Sequence, residues 1–150
     1  MNNREIQMFC MFCFLFIGQV SMSYAYCSIG VQDIFFGTYD ASSATSDTTT
    51  AELVMNCRSA TTVTVEISSG QHSKNTVRRK MRHTQKADVL NYNLFHDQSM
   101  SQIWSNGIGG SPLVQRIDGR QQIMIYGQIY SHQDVWVGEY EDTVRLTIMP

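Results

Sequence analysis

Four cysteines, Cys10, Cys13, Cys27 and Cys57, and four histidines, His72, His83, His96 and His132, are the side chains of this 150-residue sequence best suited to metal binding or nucleophilic chemistry. Their spacing argues against both uses. The histidines are scattered and none sits beside a cysteine at ligand spacing, so no metal site is assigned. No Ser/His/Asp, paired-carboxylate or Cys/His set emerges either, and the sequence assigns no catalytic residue and no cofactor. The expectation is a protein that is not an enzyme. The chemistry left to the cysteines is oxidation, and which of them oxidise depends on where the chain goes.

Residues 1–25 have the layout of a secretory signal: Arg4 in a polar start, an apolar run from Met8 to Ile17, then small and polar residues ending in Ser23-Tyr24-Ala25. The run of about ten residues is half of the roughly 20 that a membrane-spanning helix needs. Cleavage after Ala25 removes Cys10 and Cys13 and leaves one domain over residues 26–150 with Cys27 and Cys57. Two cysteines in an oxidising compartment are read as a disulfide. Closing a loop of about 31 residues contributes roughly 3 to 4 kcal/mol through the entropy of the unfolded chain.

Two further stretches invite a chemical reading. Arg78, Arg79, Lys80, Arg82 and Lys86 crowd together as a nucleic-acid patch would. The stretch has no aromatic stacking residues and the chain carries a net charge of −2, so a solvated loop is favoured and no nucleic acid is expected as a partner. Gly107-Ile108-Gly109-Gly110 could cradle a phosphate, but no helix signal follows and no Lys-Ser/Thr ends the run, which leaves a loop.

The elements that must position these residues read as strands. An opening strand spans Tyr26 to Phe36 with a bulge near Gln32-Asp33, and a Thr- and Ser-rich loop follows to Thr50. In a strand over residues 51–57 Leu53, Met55 and Cys57 lie on one side against Glu52, Val54 and Asn56, and in a second over residues 61–68 Val63, Val65 and Ile67 alternate with Thr62, Thr64 and Glu66. Gly70 to Ala87 shows no pattern. Leu90, Tyr92 and Leu94 share one face of a strand over residues 88–96; Leu113–Ile117 and Gln121–Ile129 read as a hairpin turning at Asp118-Gly119. The closing stretch, Gly138 to Pro150, places Val144, Leu146 and Ile148 on one side and Thr143, Arg145 and Thr147 on the other. A strand at a sheet edge leaves backbone groups unpaired unless a neighbour or a partner strand covers them. With 43% hydrophobic and 16% charged residues, the sum is a compact antiparallel β-sandwich.

The order of landmarks resembles the spore coat protein U family, whose domain also occurs in subunits of archaic chaperone-usher pili. The matching pieces are Cys27 with Phe36-Gly37-Thr38-Tyr39-Asp40, then Cys57, Gly70, Arg79-Lys80-Met81 and the run from Leu90 to Asp97. Trp104-Ser105-Asn106-Gly107, Tyr126-Gly127-Gln128-Ile129 and Gly138-Glu139-Tyr140-Glu141-Asp142-Thr143-Val144 complete the series. The resemblance implies an incomplete, pilin-type immunoglobulin-like β-sandwich missing its final strand. It implies a periplasmic pilus chaperone, an outer-membrane usher and other pilus subunits as partners, with export through the periplasm to a cell-surface fibre. The groove taking a donor strand is expected along Ile29, Val31, Val144, Leu146 and Ile148.

Only Tyr26 would precede Cys27 after cleavage, whereas a strand donor needs about ten extended residues at roughly 3.3 Å each. The expectation is a subunit that accepts a strand without giving one, placed at a fibre tip and serving adhesion and biofilm formation; a mature N-terminus found well upstream of Tyr26 would remove it. At a tip, Ile103, Trp104, Ile108 and Trp136 are candidates to touch a surface or host receptor, although large aromatics more often close a core. The competing expectation is a self-sufficient secreted coat or binding domain that does not polymerise.

Overall fold

The computed structural model describes residues 27–150, and the signal-like segment lies outside the described residues. The elements are strands: β1 (Cys27–Val31), β2 (Asp47–Ile67), β3 (Arg79–His83), β4 (Val89–Phe95), β5 (Leu113–Ile129), β6 (Tyr140–Glu141) and β7 (Leu146–Met149). They pair antiparallel in the order β1-β2-β5-β4-β3-β6, with β7 added to β2. Over the described residues the sheet curls on itself to make an all-β sandwich.

Two long strands hold this arrangement together, and they correct the sequence reading. The runs expected as separate strands over 51–57 and 61–68 are one strand, β2, and the hairpin expected at Asp118-Gly119 is the middle of β5. Cys57 pairs with Gly119 and Thr61 with Ile117, so residues 58–60 bulge against Asp118. Gly119 has φ 67°, a left-handed backbone that glycine adopts at little cost. Both strands therefore bend at the same height without ending. An Asp-Gly pair signals the change of direction, but the partner across the ladder decides whether it becomes a turn or a bend.

The alternation expected in β2 and β4 fills the core: Leu53, Met55, Val63, Val65, Ile67, Leu90, Tyr92 and Leu94 are buried, together with Ile117, Ile123, Ile125 and Ile129 of β5. Cys27 and Cys57 form the disulfide, with Cα atoms 4.1 Å apart, at the point where β2 starts to bulge. Replacing both cysteines by alanine is expected to cost about 3 to 4 kcal/mol, read as a lower urea midpoint. An unchanged midpoint would mean that the unfolded chain gains no freedom from the loss.

Three more stretches differ from expectation. The opening strand stops at Val31, and residues 32–36 continue outside any strand. The supposedly patternless stretch after Gly70 contains β3, in which Arg79, Met81 and His83 are buried and Arg82 is exposed. The closing stretch is two strands, β6 on β3 and β7 on β2, because residues 142–145 cross from one half of the sandwich to the other. Its alternation persists through the crossing, with Val144, Leu146 and Ile148 half-buried and Thr143, Arg145 and Thr147 exposed.

Candidate functional site: an open cleft between two lips

The core is not covered along one side. Ile29 and Val31 pair with Met55 and Leu53 and share their sheet face; those partners are fully buried, yet Ile29 and Val31 are 50% and 53% exposed. Apolar residues on a core-facing side stay this exposed only where no neighbouring element packs on them. Beside them opens a cleft of about 520 Å³. Its first lip is residues 31–36, with Val31, Ile34 and Phe36 turned toward it; its second is residues 140–146, with Tyr140, Val144 and Leu146. Ile67, Met81, Tyr92, Leu94 and Ile125 form the floor.

Polar anchors fix the second lip. Asp142 accepts hydrogen bonds from the Tyr92 hydroxyl at 2.7 Å and from the Gln71 backbone N–H at 2.8 Å. Burial, then the bond to Asp142, pushes the Tyr92 phenol well above its ordinary pKa, so it stays a donor. Gly70, at φ 87°, leaves room for the Asp142 carboxylate, which a Cβ at that position would overlap. Three residues further on, the Arg145 N–H donates to Ser68 Oγ at 2.8 Å and its carbonyl accepts from Ser68 N–H at 2.9 Å. On the first lip the Phe36 ring meets Tyr92 edge-on at 5.9 Å and lies over Gly127, where a Cβ would come within 2.8 Å of the ring.

Behind the floor lies Arg79, fully buried. Its guanidinium donates to Ser68 O at 2.9 Å, Ile67 O at 3.1 Å, Trp104 O at 2.7 Å and Asn93 Oδ1 at 2.6 Å. Desolvation lowers its pKa to about 10, which leaves it charged at neutral pH. The expectation of a solvated loop for the basic run fails at Arg79, because four acceptors replace its water.

The cleft gathers Val31, Val144 and Leu146 of the residues expected at a groove. Ile29 lies outside it, beside a shallow hollow with Val54 and Arg120, and Ile148 packs on the core beyond its end. The sequence reading omitted the floor residues and Asp142, whose alternation was visible but whose convergence was not. Trp104 is fully buried and Ile103 partly so, which corrects the view of Trp104 as a surface contact. Ile108 and Trp136 are exposed, at 70% and 65%, with Val137 beside Trp136 almost wholly exposed.

Trp136 stands at one end of the sandwich with Lys86 Nζ 3.6 Å above its ring. The Trp136 backbone N–H donates to Asp88 at 2.8 Å, and the Tyr140 hydroxyl donates to the same carboxylate at 2.7 Å. These bonds hold the Asp88 carboxyl below the usual range. A depressed carboxyl pKa stabilises the fold above the ordinary value of about 4 and loses that contribution as pH falls through the folded value. Acidification is therefore expected to release the Trp136 segment with a step in its fluorescence, and Asp88→Asn should abolish the step; a step that survives the substitution would assign it elsewhere.

What the arrangement can do is set by its edges and its floor. Residues 32–36 and 142–145 lie outside the strands on either side of an apolar trough. Such a trough suits an extended chain that pairs its backbone with the lips and drops alternate side chains inward.

Among solved structures, the chain is similar to one in the CsuC–CsuE chaperone-tip adhesion subunit pre-assembly complex from archaic chaperone-usher Csu pili of Acinetobacter baumannii. The TM-score is 0.62 at 21% identity, covering 83% of this chain and 39% of that chain. A chaperone-tip adhesin complex of CFA/I fimbriae biogenesis gives a TM-score of 0.48 at 9% identity, covering 80% of this chain and 42% of that chain. The chain thus spans about two fifths of the solved chains it matches, and the first likeness concerns the fold. Curated proteins yield no sequence match. The sequence profile of the Spore Coat Protein U domain matches residues 17–147, and on that match the chain belongs to the Spore Coat Protein U domain family.

Proposed function

We propose that this protein is a structural subunit of a chaperone-usher type pilus or surface fibre, and that its cleft takes a strand from a neighbouring subunit. The observation that carries the reading is the uncovered core side: half-exposed Ile29 and Val31 on a buried face, beside a trough flanked by lips outside the strands. An inserted strand would bury apolar side chains worth roughly 1.5 to 3 kcal/mol each and pair the flanking backbone. In this reading the chain passes through the periplasm, where a pilus chaperone fills the cleft until an outer-membrane usher exchanges it for another subunit. The likeness to a chain from a chaperone-tip adhesion subunit complex supports this assignment through the fold. Exposed Ile108, Trp136 and Val137 are the residues we assign to surface contact, in adhesion and biofilm formation, if the subunit sits at a tip.

Periplasmic expression with and without a cognate archaic-type chaperone tests the proposal. The expected result is a stable one-to-one complex by mass, with aggregation when the chaperone is omitted. A soluble monomer that unfolds cooperatively on its own would overturn it and favour the self-sufficient coat or binding domain, with Ile34 and Phe36 already covering enough of the core.

A further inference from the structure

The cleft has an inner row of side chains and an outer one, and the outer row is charged in a definite order. Along the second lip, Tyr140, Asp142, Val144 and Leu146 are partly buried while Glu141, Thr143 and Arg145 are exposed. The outward row therefore runs acidic, neutral, basic, its two charges four positions apart along about 13 Å of extended chain. On the opposite lip Asp33 is exposed between Val31 and Ile34, which face the cleft. Asp142, the remaining carboxylate of the lining, is held by Tyr92 and Gln71 and is not part of the outward row.

We infer that the occupant of the cleft is an extended segment of a second polypeptide with a mixed-charge outer face, carrying a basic residue beside Glu141 and an acidic residue beside Arg145. This inference rests on the strand-accepting reading above. Side chains directly opposite on neighbouring strands lie about 5 Å apart, close enough for opposite charges to favour a register and like charges to oppose it. Glu141 already has Arg82 of β3 as its ladder partner on the far side. A cation inserted on the cleft side extends this into an alternating row, Arg82, Glu141, occupant. It lies next to the carboxylate and about twice as far from Arg82, a separation comparable to the screening length in physiological salt. Arg145 has Ser68 on its far side, joined through the backbone and the serine hydroxyl, so its neighbour there carries no charge and an occupant on the cleft side can supply one.

The charge row supplies something that apolar side chains cannot. A strand with a period of two fits the trough equally well after sliding by two residues. Charges four positions apart penalise that slide, and they also distinguish the two directions in which the segment could lie.

Four synthetic peptides with identical alternating apolar residues test the inference, with Lys and Glu, Glu and Lys, Lys and Lys, or Glu and Glu at two outward positions four apart. Binding to the protein is read by fluorescence anisotropy at low salt and at about 0.5 M salt, where screening is strong. One mixed-charge order is expected to bind about 5- to 10-fold tighter than either like-charge peptide, an advantage that shrinks in high salt. The double substitution E141K with R145E should reverse which mixed order wins. Equal binding of all four peptides would overturn the charge inference while leaving the strand-accepting cleft in place. No binding by any of them would overturn the cleft reading as well.

Discussion

Arg79→Met should destabilise the protein by about 3 to 5 kcal/mol, a loss visible as a lower urea midpoint and a lower melting temperature. The side chain that replaces the guanidinium matches its apolar stem but leaves Ser68 O, Ile67 O, Trp104 O and Asn93 Oδ1 without their donor. An acceptor stranded in the interior costs about 1 to 3 kcal/mol. Relief from burying a charge offsets part of that sum, which is why the expected total is below four full penalties. Arg79→Lys should recover only part of the loss, because one ammonium cannot span acceptors contributed by three separate stretches of chain. Arg78→Ala and Arg82→Ala, at exposed positions, should stay within about 0.5 kcal/mol. Equal losses at positions 78, 79 and 82 would refute the network.

Trp104→Ala is expected to cost a similar 3 to 5 kcal/mol, about the usual loss for a buried Trp. The indole is fully buried, donates from Nε1 to Val65 O at 2.8 Å, and meets the His96 ring edge-on at 6.0 Å. Trp104→Phe should lose roughly 1 to 2 kcal/mol, mostly from the carbonyl left without its donor. Trp136→Ala provides the contrast. Its ring is 65% exposed and its principal ring contact is Lys86, so the loss should be about 0.5 to 1 kcal/mol. Urea curves of the three variants settle the matter, and a Trp136→Ala loss equal to that of Trp104→Ala would contradict the burial described here.

The two tryptophans show where sequence legibility ends. Each stands in a polar, glycine- or serine-containing stretch with no period, so nothing local separates the buried ring from the exposed one. The inward residues of β2 and β4 were legible because burial on one sheet face imposes a period of two that composition can carry. Arg79 obeyed the same period with Met81 and His83, but its charge concealed it, since a cation is assigned to solvent unless its acceptors are known. The acceptors come from residues 67, 68, 93 and 104, which only the fold brings together. Strand ends failed for a related reason. Whether Asp118-Gly119 turns or bends depends on the bulge it faces in β2, and whether residues 138–150 are one strand or two depends on which neighbours lie on each side. For the cleft, Val31 and the apolar residues of the second lip are legible in the sequence, whereas the floor and Ile34 and Phe36 of the opposite lip required the sheet to curl.

The pairing of β2 with β5 also sets a timetable. Asp47 must find Ile129 and Thr61 must find Ile117 before either long strand has its main partner, so the centre of the protein rests on contacts between distant parts of the chain. Closing such large loops comes before the stabilising contacts, and sheets of this kind fold in milliseconds to seconds where local helical bundles take microseconds. During that interval the apolar residues destined for the floor stand beside unpaired strand edges, the combination that aggregates most readily. A partner that holds the lips apart and filled would therefore act as much on the rate of misassembly as on final stability, and it would be needed earliest, while the two long strands are still searching for each other.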